Sequence, residues 1–246
     1  MLQDKLPYAA LISAWDRVNR DWGMNLSPEA LAGFGRYLEI LLQANQAASL
    51  TSLREPGEML AGLFRDALCL LKILEPSREG PVLDLGAGAG IPGIPLALAR
   101  PGLSLWLLEA RVKKAAFLRE ACRELGLAGA RVLEGRAEDL GRDPKYREEA
   151  ALVVSRSVGS LSELLELGLP FLKTGGILAV WKGSRWREEL SCAATALAKL
   201  GGAVERTESF AVPGCDHPRV LVLVRKTGPI PSNFPRRAGV PHRKPL

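Results

Sequence analysis

From Val82 to Gly93 the chain reads VLDLGAGAGIPG: an apolar run carrying Asp84, then glycine at 86, 88, 90 and 93. Glycine permits positive φ and, lacking Cβ, lets a ligand lie against backbone. The N–H groups of a following helical turn face whatever sits there. This is chemistry for holding a nucleoside. Gly88, Gly90 and Gly93 also satisfy G-x-G-x-x-G, the dinucleotide fingerprint, so a nicotinamide or flavin cofactor fits as well as a nucleoside bearing a sulfonium. Asp84, two residues before Gly86, is read as facing a positive end of the ligand, which a sulfonium or ammonium favours and a pyrophosphate does not. Glu109 ends the next apolar run, 23 residues after Gly86, where an acid accepts hydrogen bonds from ribose hydroxyls in either class. Gly135-Arg136-Ala137-Glu138-Asp139 forms an acidic loop in which Glu138 or nearby backbone reads an adenine amine. Asp139 reads equally well as a solvated surface charge.

Positioning these residues requires strands that stop together. Val82–Leu85, Leu103–Leu108, Arg131–Leu133, Leu152–Ser155 and Gly176–Val180 are short apolar runs with strand character. Helical patterns over Pro95–Ala99, Lys113–Leu125 and Leu161–Leu172 alternate with them. That rhythm implies right-handed crossovers and a parallel sheet covered on both faces. Ala203–Phe210 and Arg219–Val224, joined by a short connection, predict an antiparallel pair closing the sheet. The expected fold is α/β and Rossmann-like, with a mostly parallel seven-stranded sheet and an antiparallel last strand. Ahead of it, Leu6–Arg20, Pro28–Ala44 and Pro56–Leu74 carry apolar residues at spacings of three and four, and Ser27-Pro28 forms a helix start. The chain thus divides into a helical extension (1–76), a cofactor-binding domain (77–226) and a C-terminal arm (227–246).

The arm carries the charge. Arg225 to Leu246 holds six basic residues and no acid, so residues 1–224, with 27 of each sign, are formally neutral and the whole net charge of +6 is terminal. A localised excess points to a polyanionic partner. Pro229, Pro231, Pro235, Pro241 and Pro245 predict an extended arm without a helix that docks on something. Cys69, Cys122, Cys192 and Cys215 are far apart, with no C-x-x-C pair, so neither a metal site nor a disulfide framework is expected. Every apolar run is interrupted before it could cross a bilayer, and the N-terminus does not read as a secretory signal. The expected location is the cytoplasm and the expected state a monomer.

Together these residues resemble the RsmG (GidB) family of bacterial ribosomal RNA methyltransferases. Asp84–Pro95, DLGAGAGIPGIP, is similar to that family's glycine loop, with Ala87 at a usual Ser or Thr. Glu109 with Lys113, Lys114 and Phe117-Leu118, Arg136-Ala137-Glu138, Val154-Ser155-Arg156-Ser157 and Trp181-Lys182-Gly183 match further family segments. Phe234-Pro235-Arg236-Arg237-Ala238-Gly239-Val240-Pro241 is the most specific match. Ser49 stands where the family often has Asn, and Leu63 where it often has His, while Asp66 is kept. The resemblance implies methyl transfer from S-adenosylmethionine to N7 of a guanine in 16S rRNA, with free rRNA or the 30S particle as partner. It implies cofactor contacts at Gly86, Ile91, Glu109, Ala110, Arg111, Ala137, Glu138 and Arg156, to which the reading of the loop itself adds Asp84, Gly88 and Gly90.

The chemistry agrees with that implication. Guanine N7 carries a lone pair and no proton, so its methylation needs no general base. Of the two histidines, His217 and His242, neither stands beside a nucleophile. The segment after the fourth strand offers neither a cysteine nor Asn/Asp-Pro-Pro-Tyr. Arg156 is the residue expected to place the guanine, by stacking or by donating to O6, with an ion pair to an acid such as Asp84 as the competing or concurrent role. Lys182, Arg236, Arg237, Arg243 and Lys244 are expected to bind RNA phosphates. Three competing readings are a nicotinamide-dependent oxidoreductase, a non-catalytic RNA-binding assembly factor and a small-molecule methyltransferase.

Overall fold

The computed structural model describes residues 6–76, 79–156, 159–216 and 218–246; Ser157 and His217 lie outside the described residues. The extension begins with α1 (Leu6–Asp21) and α2 (Pro28–Ala48). Ser27 caps α2 as its sequence predicts, its Oγ accepting from the Ala30 N–H at 3.2 Å. A further helical stretch follows as α3 (Pro56–Met59), a π turn (Leu60–Arg65), α4 (Asp66–Leu68) and a 3₁₀ turn (Cys69–Lys72). The π turn precedes Asp66, a residue of the site below.

The remaining elements alternate as expected. They are β1 (Val82–Leu85), α5 (Gly93–Ala99), β2 (Leu105–Glu109), α6 (Val112–Glu124), β3 (Ala130–Glu134), α7 (Ala137–Leu140), β4 (Ala150–Ser155), α8 (Leu161–Gly168) and β5 (Leu172–Lys182). Then come α9 (Trp186–Cys192), α10 (Ala194–Lys199), β6 (Gly202–Phe210), β7 (Arg219–Lys226) and α11 (Val240–Arg243). The sheet order is β3-β2-β1-β4-β5-β7-β6, with β7 antiparallel to both neighbours. β5 runs to Lys182, two residues past its expected end, because β7 pairs with it from Ile177 to Lys182. Periodicity did not reveal α7, α9 or α10, which are too short to show one.

Each sheet face has its own core. On one face Val82, Leu105, Leu107 and Val154 meet Trp15, Phe34, Tyr37 and Phe64 of the extension, so the extension shares a continuous core with the sheet. On the other, Leu83, Leu108, Val153 and Val180 meet Leu161, Leu164 and Leu165 of α8, together with Ile230 and Phe234 of the arm. The arm docks, as expected, and its surface is its own protein. One expectation is corrected: it holds one helical turn, α11, because Pro241 sits in the first turn, where no intrahelical donor is required. Among the described residues no helix is long and apolar enough to cross a membrane.

Candidate active site

In a parallel sheet whose strand order reverses, ligands bind beyond the carboxyl ends of the strands at the reversal. Here that point lies between β1 and β4, and a cavity of about 460 Å³ opens there. Gly86, Gly88, Ile91, Glu109, Arg111 and Arg156, all singled out from the sequence, line it. The loop is tied to β2 by the Gly86 and Ala87 N–H groups, which donate to the Leu108 carbonyl at 3.0 and 2.9 Å. Gly88 has φ +58°, and a Cβ placed on it would meet nothing closer than 3.7 Å, so its open side faces the cavity. Glu109 is held by two backbone donors: Gly88 N–H to Oε2 at 3.0 Å and Arg111 N–H to Oε1 at 2.8 Å. A carboxylate has about four lone-pair sites, so two remain for a vicinal diol. From the extension, the fully buried Tyr37 donates its hydroxyl to the Ala89 carbonyl and stacks on Phe64, with ring centroids 4.9 Å apart.

Asp84 is placed differently from the expectation. It is fully buried beneath the loop, outside the cavity lining, because β1 is covered on both faces. Its Oδ2 accepts the Gly93 N–H at 2.8 Å and its Oδ1 has no partner. A Cβ on Gly93 would come within 2.9 Å of that Oδ2, so the close approach requires glycine. Burial pushes the Asp84 carboxyl up to about 7, with the Glu109 charge adding and the Gly93 hydrogen bond opposing. Gly90 is buried under the loop, Ala110 is exposed beside Arg111, and Ala137 and Glu138 are buried in the first turn of α7. None of these four lines the cavity.

The ion pair of Arg156 is made with Asp66, not Asp84. Arg156 Nε lies 2.8 Å from Asp66 Oδ2, and its Nη2 donates to the Gly62 carbonyl at 2.7 Å. Arg219 Nε approaches Asp66 Oδ1 at 3.4 Å, and the Trp181 indole N–H donates to the Asp66 carbonyl at 3.1 Å. Asp66 is thus a buried carboxylate between two guanidiniums; burial raises its pKa while both arginines oppose the shift. The sequence signal for it was the retained acid beside Leu63, which itself lines the cavity with Leu50, Thr51 and Lys114.

The phosphate-binding set is thinned. Lys182 is buried, pairing with Glu189 at 2.7 Å and donating to the Gly159 carbonyl at 2.6 Å. Arg236 forms a bidentate pair with the fully buried Glu166. Arg225 and Lys226 pair with Glu205 and Glu148. Of the six terminal cations, Arg237, Arg243 and Lys244 are exposed and form no ion pair among the described residues. Sequence offered no signal for the anchors of the arm, Arg142 and Arg147, whose guanidiniums donate to the carbonyls of Ile230, Asn233, Phe234 and Pro235.

A sheet with β7 reversed between β5 and β6, and a nucleoside cradle at the β1–β4 reversal, define a Rossmann-like S-adenosylmethionine-dependent methyltransferase. The fold is similar to M. jannaschii TYW2 in complex with AdoMet (TM-score 0.51, 19% identity, 67% of this chain and 76% of that one). It is also similar to the mitomycin 7-O-methyltransferase MmcR (TM-score 0.55, 20% identity, 77% and 60%). Sequence relatives are nearer. The ribosomal RNA small subunit methyltransferase G of Moorella thermoacetica is 40% identical over 228 residues, covering 93% of this chain and 95% of the relative. That of Pelotomaculum thermopropionicum is 37% identical over 227 residues, covering 92% and 95%. The GidB family, described as rRNA small subunit methyltransferase G, matches residues 30–217, and the chain belongs to it.

Proposed function

We propose that the protein transfers the methyl group of S-adenosylmethionine to N7 of a guanine in 16S rRNA, as a monomer in the cytoplasm. One observation carries this reading. Glu109, held by the Gly88 and Arg111 N–H groups, turns its remaining acceptors to a cavity that, among the described residues, neither histidine nor cysteine lines. S-adenosylmethionine supplies a methyl group on a sulfonium, which a lone pair attacks without prior loss of a proton.

The residues present fit that cofactor. The open side of Gly88 leaves room against the backbone, and Glu109 accepts the two ribose hydroxyls, flanked by Ala110 and Arg111. Ala137 and Glu138 stand on the adenine side, after β3. Asp84 and Gly90 support the loop from beneath. Arg156, fixed by Asp66, faces the reacting end. With no proton to move, the chain's task is to align the two reactants and exclude water, which supplies roughly 7–11 kcal/mol in favourable cases. Light scattering checks the monomer.

The test is transfer of labelled methyl to small-subunit rRNA, free or in the 30S particle, followed by mapping. Label is expected on one guanine and is expected to vanish when that guanine is replaced by 7-deazaguanine. Persistence of label on the 7-deaza RNA would overturn the reading. Binding of S-adenosylhomocysteine but not NAD is expected in parallel titrations.

A further inference from the structure

We propose that a second cavity, at the carboxyl end of β5, receives the target guanine, and that Glu163 selects it by accepting from its N1–H and N2–H. The proposal rests on the reaction proposed above and deepens it. The cavity, about 740 Å³, lies at the carboxyl end of β5 between the start of α8, α9 and the end of the arm. Its walls include Gly159, Glu163, Trp181, Lys182, Arg185 and His242. That volume suits a nucleotide. Asp66 bonds to one residue of each lining. Arg156, on the cofactor side, pairs with the Asp66 carboxylate, and Trp181, on the other, donates to the Asp66 carbonyl.

The reaction dictates which edge of the base must be read. N7 must present its lone pair to the methyl group, so a bidentate arginine on O6 and N7, the usual way to recognise guanine, would occupy the nucleophile. Recognition is left to the opposite edge, where guanine alone offers two adjacent donors, N1–H and N2–H. A carboxylate accepts both at once, and adenine has no matching pair.

Three glutamates border the cavity, and two are unsuited. Glu189 is committed, its Oε2 accepting from Lys182 Nζ at 2.7 Å and from the Leu161 N–H at 3.0 Å. Glu188 is exposed on α9. Glu163 is 14% exposed and anchored through its backbone N–H, which donates to Ser160 Oγ at 3.2 Å. Its carboxylate lies over Gly159, where a Cβ would come within 3.0 Å of Oε2. Among the described residues its one side-chain partner is His242 Nδ1, at 3.3 Å. Exposed Arg185 stands at the mouth for a phosphate.

The test compares methyl transfer to the mapped RNA site carrying guanine or inosine, which keeps N7 and lacks the N2 amine. Wild type is expected to favour guanine by about tenfold or more in kcat/KM, since the carboxylate is otherwise left short of a donor. In Glu163→Gln the preference should fall to about twofold or less, because an amide presents a donor where the base also donates, with S-adenosylhomocysteine affinity within about twofold of wild type. Glu163→Ala should behave alike. A guanine preference that survives both substitutions overturns the proposal, as does a wild type indifferent to inosine. Loss of S-adenosylhomocysteine binding in both variants also counts against it, because Glu163 would then be scaffold for the cofactor side. Failure of the underlying reading looks different: methylation of the 7-deazaguanine RNA, or none of any RNA.

Discussion

Gly239 of the C-terminal arm donates its backbone N–H to Oε1 of Glu138 at 2.7 Å, joining residues 101 positions apart. Glu138 stands on the proposed adenine side, so this hydrogen bond ties the arm to a residue proposed to serve the cofactor. Deleting residues 238–246, which keeps Ile230, Phe234 and Arg236, should weaken S-adenosylhomocysteine binding by about tenfold, the scale of a lost hydrogen bond to a charged group. Calorimetric titration of both forms checks this, and equal affinities would refute it.

Arg236 holds a carboxylate with no access to water. Glu166 is fully buried, and its second donor, the Arg236 backbone N–H at 2.8 Å, cannot replace the lost charge. Arg236→Ala should therefore destabilise the fold by about 3–5 kcal/mol, the usual result of stranding one member of a buried pair. Adding Glu166→Gln should recover part of that loss in chemical denaturation. If Arg236→Ala costs nothing, the residue is free for phosphate after all.

Asp66 acts through Arg156. With Asp66→Asn the Arg156 guanidinium keeps its bond to the Gly62 carbonyl but loses the charge that orients it. A misplacement of about 1 Å at a reacting centre can cost about 10²-fold in rate, and kcat should fall on that scale. The KM for S-adenosylmethionine should stay within about threefold. An equal change in both parameters would mean that Asp66 merely holds the cavity open.

Asp84 predicts a pH slope in stability. Its carboxyl loses its proton near 7 in the folded chain and near 3.8 when unfolded, so the native state binds more protons between those values. A raised folded pKa contributes stability that is present below about pH 4 and lost as pH rises to about 7. The full effect is on the order of 4 kcal/mol. Asp84→Asn keeps an acceptor for the Gly93 N–H and cannot ionise, so it should flatten this slope in denaturation series at stepped pH. An unchanged slope would show that other groups produce it.

We expect phosphate binding from the exposed terminal cations. Replacing Arg237, Arg243 and Lys244 with Gln should lower the salt slope of RNA binding by about 0.7–0.9 for each phosphate left without its cation. Lys182→Gln should leave that slope where it was, since the Lys182 charge is spent on Glu189. Filter binding across a salt series separates the two.

Much of the site was legible because its residues are local to one loop or one strand end. Gly86, Gly88, Ile91 and Glu109 are placed by the strand–loop–helix unit that carries them, and the alternation of apolar runs sets the sheet. Asp84 was misplaced because a sequence pattern shows that an acid precedes the glycines, not which side of a doubly covered strand it faces. Arg156 was found, but its partner was not, since Asp66 lies 90 residues earlier on the extension.

The sequence by itself determined the mostly parallel α/β sheet and the glycine loop at its reversal, written in short-range spacing and residue type, and from these it set the expectation of a ribose-binding acid and a base-free chemistry. Tertiary structure alone decided which charges are free. Lys182, Lys226 and Arg236 look alike in sequence to Arg237 and Arg243, yet these three are withdrawn from solvent against glutamates. Burying a charge costs too much unless an opposite one is brought to it, and only the folded chain settles which charges are brought together.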